Sequence, residues 1–340
     1  MNQSYASPVF HRILACIAEG TTSDNALKRA TELAQRFDSY LQLLHVVPPV
    51  FTAGVRMGGI SSDALSRSRA DNVRETLRAH LAHRHAGETW RGEPLANLLD
   101  VEVGTPARAV LERVQREHVD LVVLGDSGRR KQLDLGGLAR ALFSRAPCPI
   151  WMQVEPPRPI ERILVPIDLS DSSALVLDHA CELARAFGAR IHAMECFVNP
   201  ELYYGAGLDV PPGPLPYTLD NLRNVEREAF ERFVDTYPWR GVDHTVEFVE
   251  DDPSRAILAA QDHHDLIVMG TQGRSALAAA QVRGELSRNI DVGATARHVG
   301  GNCDGPRTTG LGNDLRLPLH VLRLCVQQVV GYLLLSKQGR

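Results

Sequence analysis

Residues 162–168 read Arg-Ile-Leu-Val-Pro-Ile-Asp and residues 265–275 read Asp-Leu-Ile-Val-Met-Gly-Thr-Gln-Gly-Arg-Ser. Each is a short, uniformly apolar run that ends abruptly in a polar residue or glycine, the pattern of a parallel strand buried on both faces. After the first run, Ser170, Asp171 and Ser172 supply helix N-cap candidates. Ala174, Leu177, Cys181, Ala184 and Phe187 then follow at helical spacing, Gly188 ends the helix, and an apolar strand is expected over 191–197. Strands alternating with helices predict an α/β chain with a parallel sheet covered on both faces.

The same plan occurs upstream. Arg12-Ile13-Leu14 returns as Arg162-Ile163-Leu164, and the same offset relates Ser23 to Ser173, Leu27 to Leu177, Ala30 to Ala180, Leu33 to Leu183 and Phe37 to Phe187. Asp120-Leu121-Val122-Val123-Leu124-Gly125 returns as Asp265-Leu266-Ile267-Val268-Met269-Gly270 at a slightly shorter offset. A duplicated block of this length means two copies of one architecture. The expected order in each copy is strand, helix, strand, long variable loop, helix, strand, helix, strand. Further expectations are a strand over 41–47, a helix over 107–117, strands over 121–124 and 149–154, and a stiff linker at Glu155-Pro156-Pro157-Arg158-Pro159. The domains are therefore set at 1–155 and 160–280, with an atypical tail over 281–340.

The bulk properties fit two ordinary globular cores: 340 residues, 44% apolar and 23% charged. Net charge is -4 with a pI near 6.4, so no cationic excess draws the chain to nucleic acid or anionic lipid. Six cysteines lie scattered without a Cys-x-x-Cys pair, which suits a reducing compartment. The first residues carry no basic segment followed by an apolar one, so a cytoplasmic location is expected. One apolar stretch, 317–335, is interrupted by Arg323, Gln327 and Gln328, which argues against a membrane span.

The duplicated runs at 162–168 and 265–275, with Ala146-Pro147-Cys148-Pro149-Ile150 closing the first copy, resemble the universal stress protein family. The resemblance covers roughly 10–280 and is weakest in two hairpin-like loops at about 50–95 and 200–240. It implies two tandem doubly wound, Rossmann-like domains with five-stranded parallel sheets. In one subgroup it also implies ATP binding, through an acidic residue after the first strand and a Gly-x2-Gly-x9-Gly-Ser/Thr loop. Glycines let backbone N–H groups approach phosphates, and the helix that follows adds a positive dipole. Carried over residue by residue, the candidate binding residues are Pro166, Ile167, Asp168, Gly270, Gly273, Arg274 and Ser275. The pattern then departs: ten residues separate Gly273 from Gly284, and Glu285 stands where a hydroxyl is expected. In the first copy Ala18 replaces the acid, seven residues separate Gly128 from Gly136, and Gly137 lacks a hydroxyl, as in the subgroup that does not bind nucleotide.

Beyond Ala280 the closing helix and strand of the second copy are missing, leaving a sheet edge open. Two explanations stand: a shifted reading frame near 277–284, or a genuine tail whose segment 317–335 packs as an amphipathic helix on the open sheet.

Other clusters have plain explanations beside the chemical ones. Asp168 is equally a turn and cap residue. His80, His83 and His85 end a helix, and His263 and His264 precede a strand; as metal ligands each set would need further partners. Arg129, Arg130 and Lys131 form a basic loop, and the neighbours Asp178 and His179 point apart on one helix. Neither Gly-x-Ser-x-Gly nor Gly-x4-Gly-Lys-Ser/Thr occurs, so no catalytic group and no metal is assigned. The expected function is a non-catalytic stress-response protein that senses ATP through its second domain. The alternative is a nucleotide-independent scaffold that binds protein partners or a second copy of itself.

Overall fold

The computed structural model describes residues 10–18, 21–50, 61–125, 137–153, 155–170, 173–198, 219–270 and 332–336. In the first repeat the order is β1 (Arg12–Cys16), α1 (Thr21–Phe37), β2 (Tyr40–Val47), α2 (Ser62–Arg84), the two-residue strands β3 (Thr89–Trp90) and β4 (Glu93–Pro94), β5 (Leu99–Val103), α3 (Pro106–Glu117), β6 (Leu121–Leu124), α4 (Gly137–Arg145) and β7 (Ile150–Met152). The second repeat runs β8 (Arg162–Ile167), α5 (Ser173–Phe187), β9 (Arg190–Phe197), α6 (Leu219–Thr236), β10 (His244–Glu250), α7 (Pro253–Ala260), β11 (Leu266–Gly270) and β12 (Tyr332–Ser336).

All these strands except β3 and β4 form one ten-stranded sheet ordered β10-β9-β8-β11-β12-β7-β6-β1-β2-β5. Its ladders are parallel apart from β11 with β12. The apolar runs explain its centre: Leu121–Leu124 and Leu266–Met269 are buried, as are Ile13–Ala15 and Ile163–Val165. Parallel strands covered on both faces require such runs.

Three expectations are corrected. The segments at 50–95 and 200–240 are not hairpin-like throughout, because α2 and α6 occupy much of them. Each is followed by a strand, β5 or β10, that extends its half of the sheet to an edge. The edge position leaves β10 largely exposed, so its sequence lacks the apolar run of a central strand. Finally, the tail does not end in a helix through residue 335. Residues 332–336 form β12, which pairs with β11 on one side and β7 on the other. A sheet slot flanked by two strands offers hydrogen bonds on both sides, which only an extended segment can satisfy. The edge expected to stay open is thereby filled.

A further internal repeat lies in the turns that lead to the edge strands. Trp90-Arg91-Gly92 recurs as Trp239-Arg240-Gly241. Both arginines are left-handed, with φ 49° and 51°, and both glycines follow at positive φ. Glycine takes that conformation without a Cβ clash, whereas arginine is strained there.

The two repeats meet along α1 and α5. Arg29 on α1 is 0% exposed. Its Nε donates to Gln153 Oε1 at 3.2 Å, one terminal nitrogen pairs with Glu32 at 2.6 Å, and the other donates to the Arg158 carbonyl at 2.8 Å. The guanidinium carbon lies 5.4 Å from the Trp151 ring centroid and also approaches Phe187 of α5. Arg36 donates to the Ala186 carbonyl at 2.9 Å and covers the same Phe187 ring. Burial pulls the Arg29 pKa down to about 10, against the opposing pull of Glu32. A buried guanidinium is tolerated when it is paired and hydrogen-bonded, and here each of its three nitrogens has a partner. The stretch 155–159 is therefore fastened at Arg158 rather than a free spacer.

Candidate functional site

In a doubly wound sheet the ligand crevice lies at the carboxyl ends of the strands where the chain reverses its direction of winding. The second repeat winds outward from β8 through β9 to β10 and then returns to place β11 on the other side of β8. The crevice between β8 and β11 is thus its switch point. Asp168 follows β8 directly, and Gly270 is the last residue of β11. Pro166, Ile167, Asp168 and Gly270 are therefore brought together at one end of two adjacent strands. Gly273, Arg274 and Ser275 lie outside the described residues, as do Glu285, Gly128 to Gly136 and the basic loop at 129–131.

The turn after β8 holds the Asp168 carboxylate in place. Oδ1 accepts from the Ser170 backbone N–H at 3.1 Å, the Ser170 hydroxyl at 2.6 Å and the Ser173 hydroxyl at 2.9 Å. Between them Leu169 adopts φ 56°, a conformation that costs a branched or bulky residue free energy and persists only where its surroundings impose it. Ser173 opens α5, so the first turn of the helix and the end of the strand share one hydroxyl. An aspartate two residues before a serine is an ordinary turn signal. The left-handed leucine is the feature that sequence spacing could not reveal.

The first repeat keeps the scaffold of this turn and loses its acid. The Ala18 N–H donates to the Ser23 hydroxyl at 2.8 Å, as the Asp168 N–H does to Ser173 at 3.4 Å. Ala18, at the position of Asp168, brings no carboxylate to that turn. On the neighbouring strand His45 Nδ1 meets the Ile17 carbonyl at 2.7 Å, where the second repeat has the buried Glu195. Cys16, at the end of β1, and Cys196 on β9 have their thiol pKa values pushed up to about 12 by burial. A protonated buried thiol is a poor nucleophile.

The histidines singled out from sequence turn out to be partly internal. His85 and Asp24 are buried, and His80, Arg84 and His85 converge on the Asp24 carboxylate from the end of α2, at 2.9, 3.2 and 3.5 Å. They are thus not simply an exposed helix end. Burial raises the Asp24 pKa, but hydrogen bonds from His80 and Arg84 outweigh it and hold it below the usual range. Asp178 and His179 do diverge: Asp178 accepts from Tyr237 at 2.7 Å, while His179 stacks on Phe10 across the repeats. Among the described residues no group of three or more side chains is placed to hold a metal ion. Among them, too, no helix is long and apolar enough to cross a membrane.

A family model described as the universal stress protein family matches residues 10–153 and again 159–292. A universal stress protein of Methanocaldococcus jannaschii is 25% identical over 133 residues, covering 38% of this chain and 74% of that protein. The crystal structure of a universal stress protein from Archaeoglobus fulgidus DSM 4304 superposes with a TM-score of 0.51 at 14% identity, covering 74% of this chain and 83% of that one. A putative universal stress protein from Pseudomonas aeruginosa UCBPP-PA14 gives a TM-score of 0.48 at 20% identity, over 80% and 86%.

Proposed function

Because the chain belongs to the universal stress protein family, with two copies of the domain in tandem, we propose that it is a non-catalytic stress-response protein of the cytoplasm whose second repeat senses ATP. The observation that carries this is the placement of Asp168. Its carboxylate is fixed by two serine hydroxyls at the β8–β11 switch point, beside the terminal glycine of β11. A fixed acceptor there suits the hydroxyl and amino donors of a nucleoside. The residues fit the nucleoside end of ATP; Gly273, Arg274 and Ser275 are proposed to receive the phosphates. Pro166 and Ile167 would form the apolar wall beneath the base. The first repeat, with Ala18 at the corresponding place, would bind no nucleotide.

Calorimetric titration of the full chain with ATP, beside Asp168→Ala, tests this. Saturable heat that is lost in a variant with unchanged circular dichroism is the expected result. No saturable heat with the folded wild-type chain overturns the nucleotide reading.

One feature favours the second reading, a scaffold independent of nucleotide. The fastening of α1 to α5 by Arg29 and Arg36 makes a pair of repeats with a defined relative orientation, suited to presenting a composite surface to a protein partner or a second copy. It would survive the failure of the ATP titration.

A further inference from the structure

The two repeats carry different polar chemistry at one equivalent place, low on the sheet face away from α1 and α5. In the first repeat Gln42 on β2 hydrogen-bonds Glu117, and Arg113 on α3 pairs with Asp100, Glu102 and Glu117. In the second, His192 stands at the position of Gln42, Glu247 at that of Asp100, and Ala260 at that of Arg113. The place of the permanently charged guanidinium network is taken by a histidine pair. His192 Nδ1 lies 3.1 Å from His264 Nε2, and His192 Nε2 lies 3.1 Å from the Glu247 carboxylate.

Counting protons fixes the roles. His264 Nδ1 lies 2.7 Å from the Ala260 carbonyl, which can only accept, so that nitrogen carries hydrogen. His264 is 8% exposed, and burial, reinforced by the charges of His192, Arg162 and His263 and only partly opposed by the Ala260 carbonyl, pushes its pKa down to about 4. It is then neutral at physiological pH, with Nε2 bare, and His192 Nδ1 must donate to it. The Glu247 carboxylate on the other side accepts from His192 Nε2. Both nitrogens of His192 are therefore placed to donate, one to a lone pair and one to a carboxylate, which the ring can do together only as an imidazolium. Loss of one proton would set a bare nitrogen against either Glu247 or His264 and break that contact.

We propose that Glu247, His192 and His264 form a proton-operated clasp that ties edge strand β10, through β9, to the turn leading into β11, and that it opens when His192 loses its proton. The charged groups facing it are Glu247 from β10, His264 and His263 from the turn before β11, and Arg162 from β8. Histidine is the side chain whose charge changes near neutral pH, so the second repeat has a pH-responsive joint where the first has a fixed one.

Ring-nitrogen NMR on the full chain, titrated between about pH 5.5 and 8.5, tests it, with hydrogen exchange of the β10 amides followed in parallel. The expected result is a His192 ring with both nitrogens carrying hydrogen at the acid end, and β10 amides that exchange faster, after correction for intrinsic rate, once one of those hydrogens is lost. His192→Gln copies the residue that the first repeat tolerates, and should abolish the pH dependence of β10 exchange while keeping the fold. A His192 ring with only one N–H across the whole range, or β10 exchange with the same pH profile in His192→Gln, overturns the proposal.

Discussion

The guanidinium carbon of Arg29 lies 5.7 Å from the ring centroid of Phe187, so a fully buried cation of the first repeat rests against an aromatic ring of the second. The same cation satisfies Gln153 and the Arg158 carbonyl, which ties the end of the first repeat to the stretch that follows it. Arg29→Met should cost about 1–3 kcal/mol, because the hydrogen bonds to Gln153 and the Arg158 carbonyl are lost from the seam. Arg29→Lys should recover only part of this, since an ammonium cannot reach three partners in one plane. Urea unfolding of the two variants measures both quantities, and equal stabilities would contradict the assignment.

Leu169 supplies a test of the strained turn. At φ 56° a second branch at Cβ clashes with the backbone, so Leu169→Ile should destabilise by about 1 kcal/mol more than Leu169→Met, which conserves volume without branching. Thermal melts of the two variants compare them directly. If the turn also holds Asp168 for ligand, Leu169→Ile should weaken ATP binding more than Leu169→Met does.

Asp24 predicts the response to acid. Its folded pKa lies below that of the unfolded chain, so its contribution is complete above the unfolded value of about 3.9 and disappears as pH falls through the folded one. Asp24→Asn should lower the melting temperature at neutral pH and flatten its dependence below about pH 4. Parallel slopes in wild type and variant would show that Asp24 is not the group responsible.

His264 acts in a different window. Its pKa falls from about 6.5 in the unfolded chain to about 4 in the fold, so the unfolded chain takes up a proton that the folded one refuses. Stability should decline between those two values, by up to about 3 kcal/mol in total, and His264→Gln should remove most of that slope. Denaturant titrations across the interval provide the check.

Arg113 is the charged hub of the first repeat, held between Asp100, Glu102 and Glu117. Replacing it by leucine, which fills part of its volume without charge, should cost about 3 kcal/mol by leaving three carboxylates together. Adding Glu102→Gln and Glu117→Gln to that variant should restore much of the loss. Absence of such coupling in the combined variant would mean that Arg113 acts by contact alone.

The central strands and α1, α3 and α5 were legible because their residues answer to one strong requirement, burial on a sheet or a helix stripe. Ile163–Val165 and Leu266–Met269 admit little else. The edge strands were not, since β10 is exposed and its residues alternate without a buried side. Nor was β12: its place is decided by an empty slot between β11 and β7, a long-range requirement that no local spacing encodes. At the candidate site the family resemblance located Asp168 and Gly270, but not the serine hydroxyls that aim the acid. The histidines misled for the same reason, as pairs such as His192 with His264 join residues 72 apart in sequence.

The Trp-Arg-Gly turn marks the two halves of this chain as copies of one module. Arg91 and Arg240 share an unfavourable backbone conformation at φ 49° and 51°, and each is followed by a glycine at positive φ. Against that shared detail the copies differ in Ala18 against Asp168 and in Gln42 against His192. Two halves carried on one polypeptide need not keep identical chemistry, and the two strand ends of this chain do not.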